Sequence, residues 1–167
     1  MPKIYEPDKK RILYKEPHRQ LYERDGQVLK IDPYRLNFTW RNSFEEILKV
    51  WKIPGFVQLI DNGYITQFIE GTDLHGNRPF IENEKSEYET SVSDHIKLKA
   101  LSIFNKAIEV GTALGFTIGD ITCGNMITNG HNVFLIDYDN IVTYPLEQEI
   151  IDVWMGTLDL LFSKRKI

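Results

Sequence analysis

Two tight turns are the sequence feature that most limits how the first part of this chain can fold. Asp25-Gly26 separates two short runs of alternating apolar and polar residues, and Asp61-Asn62-Gly63 separates another two. Asp-Gly and Asn-Gly steps in such a setting are typical of β-hairpins. They therefore predict an antiparallel sheet. The predicted strands are 11–14, 19–22, 27–31, 56–60 and 64–69.

Apolar residues at helical spacing predict two helices in the first two thirds of the chain. Ser43 through Glu46 has the form of a capping box, and the helical pattern that follows it stops at Pro54. A long amphipathic helix is predicted between Ser93 and Gly115. The residues expected on its buried face are Ile96, Ala100, Phe104, Ala107 and Leu114.

The rest of the chain combines two short strands with a last helix. The strands are predicted at 125–128 and 132–137, joined at Asn129-Gly130. Pro145 is expected in the first turn of the helix, where its missing N–H is tolerated. The side chains expected on the buried face are Ile150, Val153, Trp154, Thr157 and Leu161. The polar segment 72–90 has no clear period and is expected to be a connecting loop.

Length and charge narrow the class of protein. At 167 residues, 42% of them hydrophobic, the chain can bury a core but is short for two ordinary domains. A net charge of −4 argues against nucleic acid or an anionic membrane as the main partner. One cysteine, Cys123, excludes an internal disulfide and a thiolate metal cluster. No apolar stretch approaches the ~20 residues of a membrane span. We expect a cytoplasmic protein with no membrane or direct nucleic-acid contact.

Three oxygen-bearing side chains are spaced as phosphoryl transfer would require. Asp120 and Asn125 bracket a short step after the long helix, and Asp137 follows the apolar run Val133–Ile136. Phosphoryl transfer needs magnesium held against the phosphates and a polar group that orients the acceptor hydroxyl. An aspartate near a turn is by itself more often a turn former. The ordered set of three, on one predicted hairpin, indicates a nucleotide site.

The segments Gly119-Asp-Ile-Thr-Cys-Gly-Asn125 and Leu135-Ile-Asp-Tyr-Asp139 resemble the catalytic loop and the magnesium motif of the protein-kinase-like superfamily. The match is strongest to its atypical branches, such as aminoglycoside and choline phosphotransferases, lipopolysaccharide kinases, RIO kinases and the small kinase subunit of the KEOPS complex. The resemblance implies ATP and Mg²⁺ as cofactors. It makes Asp120 the catalytic base and Asn125 and Asp137 the magnesium ligands.

The same resemblance assigns roles in the first half of the chain. Lys30 resembles the lysine that holds the α- and β-phosphates. Thr66 would be the gatekeeper, and Gln67, Phe68 and Ile69 would form the hinge whose backbone groups hold adenine. The implied fold is α+β and two-lobed, with a small antiparallel N-terminal lobe carrying one helix and a truncated, mainly helical C-terminal lobe. A single kinase-like domain would span 1–167, divided into lobes at 1–71 and 72–167.

Several positions depart from the pattern. No glycine is present in 15–19, where relatives have a glycine-rich loop, so the side chain of His18 or Arg19 would have to contact the phosphates instead. Glu45 is expected to pair with Lys30, with Glu46 as the alternative. Asp152 is expected to support the catalytic loop through its backbone. Asp139 stands where many relatives have glycine.

Two functions follow from the resemblance. The first is an ATP- and magnesium-dependent phosphotransferase acting on a hydroxyl acceptor, with a small molecule slightly favoured over a protein. The second is a pseudokinase or ATP-hydrolysing regulatory subunit that binds nucleotide and a protein partner. A partner that completes the acceptor site fits either function, since the helices that hold a peptide substrate in protein kinases have no counterpart in the sequence.

Overall fold

The computed structural model describes residues 11–15, 19–76 and 92–162. The protein is α+β. Its α-helices within these ranges are α1 Phe38–Val50, α2 Asp94–Leu114 and α3 Gln148–Phe162. Its strands are β1 Arg11–Lys15, β2 Gln20–Arg24, β3 Gln27–Ile31, β4 Phe56–Ile60, β5 Gly63–Gln67, β6 Thr72–Asp73, β7 Phe116–Ile118, β8 Met126–Thr128, β9 Val133–Leu135 and β10 Ile141–Thr143.

The largest sheet is antiparallel and has the order β1-β2-β3-β5-β4, which confirms the predicted hairpins. Asp25 and Gly26 both have positive φ, 51° and 76°, as the tight turn between β2 and β3 requires. At Gly63 a Cβ atom would overlap the carbonyl oxygen of Lys30, so glycine permits the close approach of β5 to β3. The sheet thus places β3 and β5 side by side at its centre.

Helix α1 begins earlier than the sequence predicts. Asn37 caps it by accepting a hydrogen bond from the Trp40 N–H, so Ser43 lies inside the helix and the predicted capping box is wrong. Glu46 pairs instead with Lys49, at 2.7 Å. The buried face consists of Trp40, Phe44 and Ile47.

Helix α2 confirms its prediction, with Ser93 as the N-cap and Gly115 at φ 82° as the C-cap. Helix α3 starts after Pro145, so the prediction that this proline lies in its first turn is wrong. Trp154, Thr157 and Leu161 are buried as predicted. Val153 is 44% exposed, contrary to the prediction.

Two small sheets complete the fold. The predicted hairpin is confirmed as β8 paired with β9, and β6 adds a third strand from within the expected loop. Strands β7 and β10 pair with each other and were not predicted, because they lie far apart in sequence and no hairpin turn joins them, unlike β8 and β9. The remaining expected-loop positions, 77–90, lie outside the described residues.

One large hydrophobic core joins elements from both halves of the chain. It includes Trp40 and Phe44 of α1, Tyr64 of β5, Phe104 of α2 and Trp154 of α3. A smaller cluster lies within the large sheet. The two-lobed arrangement therefore stays a prediction. Across the described ranges, no helix combines the length and apolar character needed to cross a membrane.

Candidate functional site

Lys30 is a buried cation at the centre of the large sheet. It pairs in register with Tyr64 of β5 and Leu21 of β2, and its ammonium lies 5.7 Å from the centre of the Tyr64 ring. Only 5% of its side chain is exposed. A buried ammonium is costly unless a counter-ion compensates it. The environment of Lys30 therefore identifies the groups that make up the site.

Two carboxylates supply that compensation. Lys30 Nζ lies 2.6 Å from Asp139 Oδ2 and 3.6 Å from Asp137 Oδ1. The closer contact is a short, buried ion pair. Both aspartates follow β9, so the segment after this strand lies beside Lys30 of the large sheet. Sequence reasoning placed Lys30 and Asp137 in one site, and the structure brings their side chains within 3.6 Å of each other. Asp139 was given no part in that site.

The expected partner of Lys30 on α1 is wrong. Glu45 forms an exposed pair with Arg41, one helical turn away, at 3.0 Å. The alternative, Glu46, is occupied with Lys49. The apolar face of α1 turns Trp40 and Phe44 inward, and both glutamates lie on the exposed surface of the helix.

Asp120 and Asn125 lie on the loop between β7 and β8. The Asn125 side chain donates a hydrogen bond to the backbone oxygen of Asp120, at 3.0 Å, and so closes the loop. The Ile136 N–H donates to the Asn125 backbone oxygen, at 3.1 Å. This bond ties the loop to the segment that carries Asp137. Two distant parts of the sequence therefore meet at one place.

Packing explains why a glycine, Gly119, precedes Asp120. A Cβ atom at Gly119 would lie 2.6 Å from Cγ1 of Val142 on β10, closer than real contacts allow. The Gly119 N–H donates to the Asn140 backbone oxygen at 2.8 Å. The Gly-Asp step is thus fixed by the pairing of β7 with β10.

Support for this loop comes from Trp154 and not from Asp152. The Trp154 indole N–H donates to the buried backbone oxygen of Gly119, at 2.7 Å. Asp152 is exposed and accepts a hydrogen bond from Gln148 in its own helix, so its expected role is wrong. A buried tryptophan needs a partner for its N–H, and that requirement was the signal available in the sequence.

A cavity of about 140 Å³ is lined by four of the nine predicted site residues. Lys30, Thr66, Asn125 and Asp137 line it together with Arg19. Typical small-molecule pockets measure about 300–1,000 Å³, so this volume suits a phosphate group and a metal better than a whole nucleotide. Arg19 reaches the cavity from the segment that has no glycine.

The expected hinge lies outside this cavity. The Gln67 N–H donates to the Gly55 oxygen at 2.8 Å, and the Phe68 N–H donates to the Gly26 oxygen at 2.9 Å. Ile69 is buried. Gln67 lines a different cavity of about 510 Å³, whose lining residues include Lys52 and no carboxylate. The structure therefore brings Thr66 to the Lys30 cavity but does not bring the other three residues there.

Burial and neighbouring charge shift two carboxyl groups of the site. Burial raises the pKa of Asp120 above 3.8, and the nearby charges of Asp137 and Asp139 raise it further. Burial also raises the pKa of Asp139, with Lys30 opposing the shift. Each carboxylate is therefore made more basic by its surroundings. A bound cation would relieve the mutual repulsion.

The donor set fits Mg²⁺ held jointly by protein and phosphate. The described ranges contain no cluster of three or more histidine, cysteine or acidic side chains that could hold a metal by themselves. Mg²⁺ commonly takes one or two carboxylates, with waters and substrate phosphates as its other ligands. Asp137 and Asn125 both line the cavity and offer oxygen atoms of this kind.

Comparisons with known proteins give no family assignment. No family model matches the chain, and no curated protein matches it. Among solved structures, WbdD is 15% identical with a TM-score of 0.47, over 90% of this chain and 33% of that one. The chain thus spans about a third of WbdD. Choline kinase from Cryptosporidium parvum is 10% identical with a TM-score of 0.40, over 94% of this chain and 74% of that one. Likeness at this level sets no constraint on activity.

Proposed function

We propose that this protein is a kinase-like phosphotransferase that binds ATP with Mg²⁺ and transfers the γ-phosphoryl group to a hydroxyl acceptor. The observation that carries the proposal is the cavity shared by Lys30, Asn125 and Asp137. These residues come from β3, from the loop after β7 and from the segment after β9. A buried cation beside oxygen donors, in a space the size of a phosphate, is what phosphoryl transfer requires.

Each residue has a distinct part in this proposal. The Lys30 ammonium would contact phosphate oxygens, and Asn125 and Asp137 would hold the magnesium ion. Magnesium would supply charge neutralisation on the phosphates and their alignment with the acceptor. Asp120 would accept a hydrogen bond from the acceptor hydroxyl and then its proton. Its raised pKa suits this role, because a more basic carboxylate accepts a proton more readily.

Backbone groups expected to bind adenine are partly occupied by other contacts. Two expected hinge amides, those of Gln67 and Phe68, already donate hydrogen bonds within the chain. We therefore propose that Thr66 and the residues around Ile69 border the base and that discrimination between adenine and other bases is weak. In the same proposal, 1–167 is a single kinase-like domain with lobes at 1–71 and 72–167.

The acceptor is proposed only as a class. The Gly119-Asp120 step resembles small-molecule phosphotransferases more than protein kinases, so a small hydroxyl compound is slightly favoured over a protein. A protein partner could complete the acceptor side. The second candidate function is a pseudokinase or ATP-hydrolysing regulatory subunit, which is favoured by the absence of glycine from 15–19.

The test is the fate of labelled ATP. Purified protein is incubated with γ-labelled ATP, Mg²⁺ and mixtures of small hydroxyl compounds, and transfer and phosphate release are measured separately. Asp120→Ala and Asp137→Ala are compared with the wild type. Glu46→Gln is the control, because Glu46 is exposed and paired with Lys49.

Transfer by the wild type and by Glu46→Gln, lost in both aspartate variants, supports the phosphotransferase. Phosphate release without transfer, lost in the same variants, supports the regulatory subunit. Activity that survives both aspartate substitutions contradicts the assignment of the site.

A further inference from the structure

The nearest counter-ion of Lys30 is Asp139, and the pair is almost completely buried. The distance from Lys30 Nζ to Asp139 Oδ2 is 2.6 Å, and the two side chains are 5% and 8% exposed. Asp137 is 3.6 Å away and 20% exposed. The two aspartates therefore differ in surroundings. Asp137 lines the cavity, whereas Asp139 is not among the lining residues and contacts Lys30 and Tyr64 of the sheet.

Tyr64 fixes the position of the Asp139 carboxylate. Its hydroxyl donates to Asp139 Oδ1 at 2.8 Å and accepts from the Tyr138 N–H at 3.3 Å. Tyr64 is fully buried and stands opposite Lys30 in the β3–β5 register. One carboxylate oxygen thus faces the ammonium and the other faces the hydroxyl. We refer to Lys30, Asp139 and Tyr64 as the anchoring triad.

Helix α1 holds the same segment with aromatic rings. The Trp40 indole N–H donates to the Tyr138 backbone oxygen at 3.0 Å. The Tyr138 ring is fully buried and stacks on Phe44, with ring centres 5.4 Å apart. The segment between Asp137 and Asp139 is therefore clamped by packing and hydrogen bonds. Neither glutamate of α1 that was expected near Lys30 reaches it.

This arrangement separates two requirements of the proposed site. Lys30 must stay at the cavity wall, and Asp137 must keep oxygen atoms available for magnesium. If Asp139 were absent, the nearest remaining carboxylate for Lys30 would be Asp137. Lys30 would then depend on Asp137, the carboxylate that the proposed site needs for magnesium.

We propose that Asp139 is the positioning residue for Lys30, in place of a glutamate on α1, and that Tyr64 orients Asp139 for this task. The expected effect on nucleotide binding rests on the proposed function. The contacts among the three side chains do not depend on it. The anchoring triad can therefore be tested with and without nucleotide.

The first experiment observes Lys30 directly by ¹H–¹⁵N NMR of lysine ammonium groups, without nucleotide. Burial against Asp139 shields the ammonium from water, so the wild type should show one slowly exchanging Nζ signal, assigned by its loss in Lys30→Arg. The signal should vanish or shift strongly in Asp139→Asn, which keeps the side-chain shape. It should be unchanged in Glu45→Gln and Glu46→Gln. A signal that persists in Asp139→Asn, or that is lost in Glu45→Gln, overturns the proposal.

Tyr64→Phe covers the case in which Asp139→Asn fails to fold. This variant keeps the buried ring and removes only the hydroxyl that contacts Asp139. The Lys30 signal should exchange faster with water than in the wild type. An unchanged exchange rate in folded Tyr64→Phe contradicts the role given to Tyr64 and with it the anchoring triad.

The second experiment measures Kd for ATP with Mg²⁺ by calorimetry. Asp139→Asn should weaken binding at least ~10-fold, which corresponds to about 1.4 kcal/mol, and Glu46→Gln should match the wild type. Lys30→Ala separates the two proposals. If Lys30→Ala binds as the wild type does, the proposed function fails whatever the NMR result. If Lys30→Ala loses binding and Asp139→Asn does not, the positioning role fails alone.

Discussion

The Asp120 carboxyl group lies where burial and neighbouring charge both disfavour its ionised form. Burial is the larger cause, and Asp137 and Asp139 add to it, so its pKa is above 3.8. A group whose pKa is higher in the folded chain than in the unfolded chain lowers stability once it ionises. Asp120 is thus a residue whose chemistry conflicts with stability, as is common at functional sites.

Asp120→Asn should therefore stabilise the fold while abolishing phosphoryl transfer. At pH 7 the gain should be under ~1 kcal/mol, since a half-buried group is partly screened by solvent. The gain should shrink as the pH falls and disappear below about 3.8, where the carboxyl is protonated in both states. Urea denaturation at several pH values measures it. A loss of stability at pH 7, or a gain that grows in acid, would contradict the shift.

Gly119 is a second residue with a testable reason for its identity. Gly119→Ala places a Cβ 2.6 Å from Cγ1 of Val142, a stiff β-branched side chain. Overpacking of this kind costs about 1–3 kcal/mol. Gly124→Ala is the matched control on the same loop, where the added Cβ meets only the Thr122 hydroxyl, at 3.9 Å. Adding Val142→Ala to Gly119→Ala should restore part of the loss, and no restoration would locate the strain elsewhere.

At the scale of elements, the loop that carries Asp120 and the Asp137 segment are each tied to a helix by a tryptophan. Trp154 of α3 donates to Gly119, and Trp40 of α1 donates to Tyr138. Both acceptors are buried backbone oxygens. Because a buried carbonyl without a donor is costly, these two bonds fix how the helices sit against the site.

Trp154→Phe tests the role of α3. The ring is largely kept, but the Gly119 oxygen loses its donor, which should cost about 1–3 kcal/mol and reduce activity by displacing Asp120. Asp152→Asn, on the exposed side of the same helix, should stay within about 0.5 kcal/mol of the wild type. Guanidinium unfolding curves measure both. A larger effect from Asp152→Asn would restore its expected role.

The elements with strong local signals could be predicted from the sequence. Asp25-Gly26 marks its turn by backbone preference, and Ser93 and Gly115 mark the ends of α2 by capping chemistry. The partner of Lys30 could not be predicted in this way. It depends on which face of α1 packs against the core, and that face carries Trp40, Phe44 and Ile47. Glu45 lies outside this face and is exposed to solvent.

Separation along the sequence explains which other residues of the site could be predicted and which could not. Asp137 and Asn125 were predicted because the loop and the hairpin are close in sequence. Asp139 was overlooked because its contact with Lys30 depends on sheet order, which brings β3 beside β5 and places both against the segment after β9. The short strands β7 and β10 escaped detection, although they position Gly119.

At the scale of the whole molecule, one core spans α1, α2 and α3 and holds the site against the large sheet. The described part of the chain offers too few clustered ligands for a metal alone. Metal and nucleotide should therefore bind together, because each completes the site for the other. Each ligand should then increase the stabilisation that the other gives.

Thermal unfolding should show that linkage. Mg²⁺ alone and ADP alone should each raise the melting temperature little, and the two together should raise it by more than the sum. Ligand at about 100 times its Kd stabilises by about 2.7 kcal/mol. Asp137→Asn should remove the excess, and Glu46→Gln should keep it. Full stabilisation by Mg²⁺ alone would indicate a metal site made by protein ligands.

The metal and the phosphates of the nucleotide should occupy the cavity of Lys30, Asn125 and Asp137. The most direct test of this placement replaces Mg²⁺ by paramagnetic Mn²⁺ with a non-hydrolysable ATP analogue and follows backbone amide NMR signals. We expect the signals of Lys30, Asn125 and Asp137 to broaden most strongly, and to do so when both ligands are present, while the signal of Lys52 in the larger cavity broadens less. Broadening centred on Lys52, or none at the three predicted residues, would contradict it.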